Sequence, residues 1–186
     1  MERSDGLYGD LSRVLLSEAE IAAEVGKLAE RLTQDYAGKA PVFVCILKGA
    51  AVFFTDLIRK VNLPLTTDFM AISSYGSSTK TSGVVRILKD LDHDVLGRDV
   101  VVVEDIVDSG LTLSYIRTVL RERGAATVRL AALLDKPMRR RTELDVDYRC
   151  FLVPDEFVVG YGLDYAEKYR NLPLIGVLHP RIYTPE

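Results

Sequence analysis

The sequence predicts an α/β fold in which a mainly parallel sheet is flanked by helices. Apolar runs of strand length alternate along the chain with segments whose apolar residues recur at helical spacing, which is the order expected of parallel α/β sheets. The run 42–47 is apolar at every position, and a strand without polar alternation is expected to be buried on both faces. A strand–helix–strand unit over residues 100–134 completes the pattern.

The N-terminal third predicts two helices around the first buried strand. Ser17 and Glu20 are spaced as a capping box, which satisfies free backbone N–H groups where a helix begins. The apolar positions that follow recur at helical spacing to about residue 35: Ile21, Val25, Leu28 and Leu32. After strand 42–47, residues 50–60 predict a second helix. Its inward face is expected to hold Val52, Phe53, Leu57 and Ile58.

The middle of the chain predicts a strand, a loop and a returning strand. Residues 66–72 form the first of these strands and residues 84–88 the second. Between them, residues 73–83 are rich in Ser, Thr and Gly and show no periodicity. We therefore expect a mobile loop there.

The second half predicts one clear βαβ unit followed by shorter elements. A strand begins at Val100, a helix covers residues 112–123 and ends at Gly124, and a second strand covers residues 127–134. The basic run 139–141 is expected to mark an exposed turn. The remaining predicted strands are short: 149–153, 157–161 and 174–178.

Composition limits the classes of function. The 186 residues suffice for one domain, which would bury roughly 70% of its unfolded surface. The formal net charge of −3 opposes a general affinity for nucleic acid or anionic membranes. No apolar stretch approaches the ~20 residues of a membrane span, and the N-terminus is polar, so we expect a cytoplasmic protein. Cys45 and Cys150 lie in apolar runs and are expected to be buried thiols.

The stretch from Val100 to Leu113 is the most informative part of the sequence. Consecutive valines lead to three carboxylates, and the turn 109–112 then opens a helix. Carboxylates suit sugar hydroxyls or a metal, whereas the N–H groups of a turn at a helix N-terminus suit a phosphate. A sugar phosphate satisfies both halves of this pattern.

This stretch resembles the phosphoribosyl pyrophosphate (PRPP) binding motif of type I phosphoribosyltransferases. Further segments appear in the order seen in hypoxanthine-guanine phosphoribosyltransferases: 47–49, 74–75, 135–136 and 157–165. The resemblance covers roughly residues 10–183 and implies the type I phosphoribosyltransferase fold in its shorter, bacterial form. It implies one domain over residues 1–186, with a core of about 36–148. A small hood would come from about 1–20 and 149–186.

The resemblance also implies a reaction. Such enzymes transfer a 5-phosphoribosyl group from PRPP to N9 of hypoxanthine or guanine, giving IMP or GMP and pyrophosphate. The cofactor would be Mg²⁺, and the ligands PRPP and a 6-oxopurine base. The family commonly forms homodimers or homotetramers, and neither nucleic acid nor a membrane is expected as a partner.

By the same resemblance, the PRPP motif divides into three roles. Glu104 and Asp105 would hold the ribose hydroxyls and a metal ion. Asp108, beside the ribose, would share the proton at purine N7, because an ordinary Asp is ionised at neutral pH. The 5-phosphate would be cradled by Ser109, Gly110, Leu111 and Thr112.

Purine recognition is assigned to three residues. Lys136 resembles the lysine that donates to the purine 6-oxo group, although in isolation it would be read as a solvated lysine. Phe157 resembles the aromatic residue that stacks on the base, with a core Phe as the alternative. Val158 would contact the base edge through its backbone carbonyl.

The leaving group and the lid complete the expected site. Lys48, Gly49 and Arg170 resemble pyrophosphate-binding residues, and the peptide between Leu47 and Lys48 is expected to be cis. Arg170 could otherwise be a surface arginine. The resemblance gives Asp164 to a second magnesium through water, and it makes Ser74 and Tyr75 a lid. Gly162 is expected to have no consequence for the chemistry.

Two other functions remain open from the sequence. One is a regulatory nucleic-acid-binding protein that keeps the PRPP fold, and the net charge, Asp108 and Lys136 argue against it. The other is a phosphoribosyltransferase for another base, such as xanthine, uracil, orotate or adenine. Lys136 and the segment 157–164 argue against most of these bases.

Overall fold

The computed structural model describes residues 6–74 and 85–184. A six-stranded sheet forms its centre, with these strands in chain order: β2 Val42–Leu47, β3 Thr66–Ser74, β4 Val85–Lys89, β5 Asp99–Val107, β6 Thr127–Asp135 and β7 Tyr148–Leu152. The spatial order is β4-β3-β2-β5-β6-β7. Only β4 runs antiparallel to its neighbour, and the other pairs are parallel. The predicted mainly parallel α/β fold is confirmed.

Both faces of this sheet are buried beneath helices. On one face, alternate residues of β2 and β5 pack with helices α1 (Glu18–Asp35) and α2 (Ala51–Ile58). On the other face, the intervening residues of the same strands pack with α3 (Leu111–Glu122). This explains why β2 has no polar alternation.

Helix α1 confirms its predicted N-terminus, and α2 corrects a predicted face. Ser17 caps α1, and both hydrogen bonds of the capping box with Glu20 are present. Val52, expected to face inward, is 38% exposed, whereas Phe54 is buried beside Phe53. The prediction for Val52 was wrong because α2 turns the 53, 54 and 57 positions toward the sheet.

A second, smaller sheet is formed by strands that precede and follow those of the large sheet in the sequence. Its strands are β1 Leu11–Leu16, β8 Val158–Val159 and β9 Ile175–Leu178, in the antiparallel order β1-β9-β8. A short helix, α4 (Pro180–Tyr183), follows β9. The sequence did not predict β1, whose pairing with β9 contains two register shifts. Among the described residues, no helix is long and apolar enough to cross a membrane.

Candidate active site

A cavity of about 340 Å³ opens where β2 and β5 end. Carboxyl ends of neighbouring parallel strands meet at one edge of a sheet, which is where ligands of such sheets bind. The structure brings most of the expected PRPP residues together here. Its lining includes residues 46–49, 104–110 and 112–113, with Asp164 and Arg170 from a distant loop.

Two adjacent carboxylates form the acidic wall of this cavity. Glu104 and Asp105 lie among the last residues of β5 rather than beyond its end. The backbone N–H of Asp105 donates to Oε1 of Glu104 at 3.3 Å. Removal from water, reinforced by the Asp105 carboxylate, holds the pKa of Glu104 well above its usual value.

This carboxylate pair fits a shared Mg²⁺ site. In the described parts of the chain, no three His, Cys, Asp or Glu side chains converge on a metal position. Mg²⁺ commonly takes one or two carboxylates and completes its shell with water and substrate phosphates. Such a cation would stabilise the ionised forms of both carboxylates in this buried position.

The turn after β5 presents backbone N–H groups to the cavity. Gly110 is the N-cap of α3 with φ of +80°, and it has no side chain that could cap the helix. Within the turn, the Leu111 N–H lies 3.4 Å from Oγ of Ser109. An uncapped helix N-terminus favours an anion. The Leu111 side chain is exposed and does not line the cavity, so its backbone alone can contribute.

The loop that follows β6 holds this turn in place, which the sequence did not reveal. Arg140, expected in an exposed turn, has a side chain only 16% exposed and pairs with buried Asp135. Its neighbour Arg139 lies 3.4 Å from the Asp108 carboxylate and also pairs with Asp155. The exposed-turn prediction was wrong for Arg140, because β6 carries a buried carboxylate that requires a cation.

The β2 end of the cavity is built from closely packed backbone. The peptide between Leu47 and Lys48 is cis, as expected. A Cβ on Gly49 would lie 1.7 Å from Oδ2 of Asp105, so only glycine at this position avoids a clash with that carboxylate. Lys48 reaches Glu167 at 3.2 Å.

Gly162 packs against this same loop, which corrects its predicted irrelevance. Its φ is +102°, and a Cβ there would lie 2.1 Å from the carbonyl oxygen of Gly49. Arg170 donates to the Gly162 carbonyl at 2.8 Å and pairs with Asp164 at 2.8 Å. Its Nε is buried and has no hydrogen-bond partner in the part of the chain that the structure describes. Arg170 is therefore part of the cavity wall rather than a free surface arginine.

A second cavity of about 400 Å³ lies between the two sheets and contains Lys136. Lys136 is 6% exposed, and its Nζ donates to the carbonyl of Glu156 at 2.6 Å. Burial lowers the pKa of this amine. The reading as a solvated lysine is therefore wrong, and the remaining donors of the ammonium can serve a ligand.

The aromatic wall of the second cavity is formed by Phe157 and Tyr183. The two rings are stacked with centroids 4.9 Å apart, and Tyr165 meets Phe157 edge-on at 5.5 Å. Phe157 is 38% exposed, which excludes the alternative of a core Phe. The side chain of Val158 is buried, so only its backbone could face a ligand.

The small sheet supplies residues to this cavity that sequence reasoning missed. Arg13 of β1 lines it and pairs with Glu156 at 2.5 Å, and Tyr183 arrives from α4. No local pattern marks either residue, because each reaches the cavity through long-range pairing. Of the two lid candidates, Ser74 ends β3, and Tyr75 falls outside the described residues.

Comparisons with known proteins agree with this geometry. Residues 14–166 match the family model described as the phosphoribosyl transferase domain. Hypoxanthine-guanine phosphoribosyltransferase from Bacillus subtilis is 52% identical over 94% of this chain and 97% of that protein. The bifunctional protein TilS/HprT of Listeria monocytogenes is 51% identical over 97% of this chain, which spans only 28% of its length.

A solved structure extends the likeness to three dimensions. A hypoxanthine phosphoribosyltransferase from Staphylococcus aureus matches with a TM-score of 0.95 at 44% identity, covering 99% of this chain and 100% of that one. The chain therefore belongs to the phosphoribosyltransferase family. Within that family it groups with the hypoxanthine-guanine phosphoribosyltransferases, which match it over nearly the full length of both chains. The predicted type I fold is confirmed.

Proposed function

We propose that this chain transfers the 5-phosphoribosyl group of PRPP to N9 of hypoxanthine or guanine in purine salvage. The carrying observation is the pair of neighbouring cavities, one with acids and an uncapped helix N-terminus, the other with a buried lysine and an exposed aromatic ring. A phosphorylated sugar fits the first and a flat 6-oxopurine the second. The names of the full-length relatives support the same reaction.

In the first cavity, the chain's own residues would bind and orient the sugar phosphate. Glu104 and Asp105 accept hydrogen bonds from the ribose hydroxyls. The 5-phosphate receives backbone N–H groups of the turn and the hydroxyls of Ser109 and Thr112. The transition state of this transfer makes little bonding to either group, so fixed alignment and charge stabilisation supply most of the catalysis.

The pyrophosphate end would use the backbone of Gly49 with Lys48 and Arg170. Both cations are already paired with carboxylates, at Glu167 and Asp164, and an incoming anion would compete for them. Glu104, Asp105 and Asp164 are the residues that would hold Mg²⁺. When bound, the ion would neutralise charge on the departing pyrophosphate.

In the second cavity, Lys136 would donate a hydrogen bond to the 6-oxo group of the base. An amino group at that position could not accept this bond. Phe157 would stack on the base, and the Val158 backbone would contact its edge. Asp108 lines the first cavity and lies beside Arg139, which lines the second. A carboxylate in this position can take the proton of N7 as N9 attacks.

We propose that the core and hood correspond to the two sheets. The core would include residues to 152, rather than 148, because β7 pairs with β6 in the large sheet. The hood would contain β1, β8, β9 and α4. The Ser74–Tyr75 lid, a homodimer or homotetramer, and a cytoplasmic location belong to the same proposal through the family resemblance.

One assay panel tests the function. The purified chain is incubated with PRPP, Mg²⁺ and, separately, hypoxanthine, guanine, xanthine, adenine or uracil, and released pyrophosphate is measured. Turnover is expected with hypoxanthine and guanine and with neither adenine nor uracil. Turnover with adenine or uracil alone, or with no base, would contradict the proposal. Salt-dependent binding of duplex DNA in the submicromolar range would favour the regulatory alternative.

A further inference from the structure

We propose that Arg140 is a positioning residue that fixes the phosphate-binding turn against the base-reading loop. Its guanidinium would set the distance between Asp108 and Lys136, and thus between the two substrates. This inference rests on the proposed function. It concerns a residue that lines neither of the two substrate cavities.

The loop 136–141 is joined to the turn by three hydrogen bonds, each to the next carbonyl along the chain. The N–H of Lys136 donates to the carbonyl of Val107 at 2.9 Å. The Arg140 side chain donates through Nη1 to the Asp108 carbonyl at 3.1 Å, and the N–H of Arg141 donates to the Ser109 carbonyl at 2.9 Å. Three consecutive carbonyls, from the end of β5 to the start of the turn, are therefore held by one loop.

The middle contact differs from its neighbours because a side chain makes it. Val107 and Asp135 are paired residues of adjacent parallel strands, so the outer contact at Lys136 continues the sheet. Beyond that point the strand ladder of the described residues ends, and the Arg140 guanidinium joins the two segments together with the backbone contact of Arg141. Its Cδ also lies beside Gly110, where a Cβ would approach it to 2.9 Å.

The other end of the guanidinium is anchored in the core. Nη2 of Arg140 pairs with Asp135, whose side chain is 3% exposed. The second oxygen of Asp135 accepts from Arg149 on β7 at 3.2 Å. Asp135 immediately precedes Lys136, so Arg140 connects the first residues of the loop that carries Lys136 to the backbone of Asp108.

This geometry predicts an effect on alignment rather than on affinity. The reaction requires N9 of the base to face the ribose carbon, and a misplacement of about 1 Å costs on the order of 10²-fold in rate. Loss of the Arg140 contact removes no side chain that lines either cavity. It lets the turn and the loop shift relative to each other.

The test compares Arg140→Met with Arg149→Met, a control that loses a contact to the same Asp135 carboxylate and none to the turn. Steady-state kinetics give kcat and the KM values of PRPP and hypoxanthine, and calorimetry gives the affinity for GMP. For Arg140→Met we expect kcat to fall about 10- to 100-fold. Both KM values should change less than about 3-fold, and Arg149→Met should stay within about 3-fold of the parent in kcat.

A double variant separates positioning from stability. Arg140→Met leaves the buried Asp135 with one partner, which is expected to lower the melting temperature. Asp135→Asn combined with Arg140→Met removes the buried charge as well, so thermal stability should recover while kcat stays low. Recovery of kcat together with stability would overturn the inference, and so would unchanged kcat in Arg140→Met. An inactive parent chain would instead refute the proposed function.

Discussion

The two cavities of this chain are built in different ways. Most of the first cavity, which we propose binds PRPP, comes from one contiguous stretch, residues 104–113, placed by the neighbouring strands of the large sheet. The second cavity, which we propose binds the base, collects two or three residues each from β1, the loop after β6, the segment before β8, β9 and α4. A site carried by one rigid strand–helix junction is fixed by local geometry. A site gathered between two sheets depends on how those sheets pack, so its individual residues should tolerate change better.

The largest effect is expected for Asp108→Asn, at the boundary between the two cavities. An amide cannot accept the N7 proton, so kcat should fall about 10²- to 10⁴-fold. Steady-state kinetics with hypoxanthine measure this, and the KM for PRPP should change little. Unchanged turnover would remove Asp108 from the proton-handling role and weaken the contrast between the cavities.

Gly49→Ala tests the rigidity of the PRPP cavity. The new Cβ would displace the Asp105 carboxylate, which it would approach to 1.7 Å, so kcat/KM for PRPP should fall about 10²-fold. The matched control is Gly26→Ala on α1, where no atom of another described segment lies within 4 Å of the new atom. That control should keep full activity and gain about 0.5–1 kcal/mol of stability. Equal kinetic constants for the two variants would show that the cavity accommodates the new Cβ without loss of function.

Lys136→Met tests the base cavity by removing its buried ammonium. Loss of a charge-assisted hydrogen bond should raise the KM for hypoxanthine about 10- to 100-fold, with less than about 3-fold change for PRPP. Lys27→Met, on the exposed face of α1, is the control. If both substrates lost affinity equally, the assigned contact with the base would be wrong.

The smallest effect is expected for Tyr183→Ala, which removes the ring stacked on Phe157. An aromatic pair contributes about 0.5–1.5 kcal/mol, so the KM for hypoxanthine should rise about 2- to 10-fold. Tyr183→Phe keeps the stacked ring and should behave as the parent. A rise in KM for Tyr183→Phe as large as for Tyr183→Ala would assign the effect to the hydroxyl instead.

The difference between the cavities also explains what the sequence could predict. The capping box at Ser17, the buried strand β2 and the acidic motif on β5 are local signals, and the structure has each of them. The inward face of α2 was misjudged at Val52, because helix rotation is set by the sheet beneath it. Strand β1 was missed, since its irregular pairing with β9 leaves no alternation to detect.

The residues missed in the site have the same origin. Arg140 looked like part of a basic turn because its partner Asp135 is buried only once β6 and β7 pair. Arg13 and Tyr183 enter the base cavity from the two ends of the described chain, a relation that spacing cannot encode. Resemblance to a family located Lys136 and Phe157, which composition and periodicity alone would have left as a surface lysine and a core aromatic.

The contact between Gly162 and Gly49 has a consequence for exit of the reaction product. Main chain lies directly on main chain there, with no side chain between the two segments that could rotate aside. The loop carrying Asp164 and Arg170 therefore cannot come closer to the loop carrying Lys48 than it already lies. This end of the cavity cannot narrow without a change in backbone torsion angles, so a departing anion meets no further closure there.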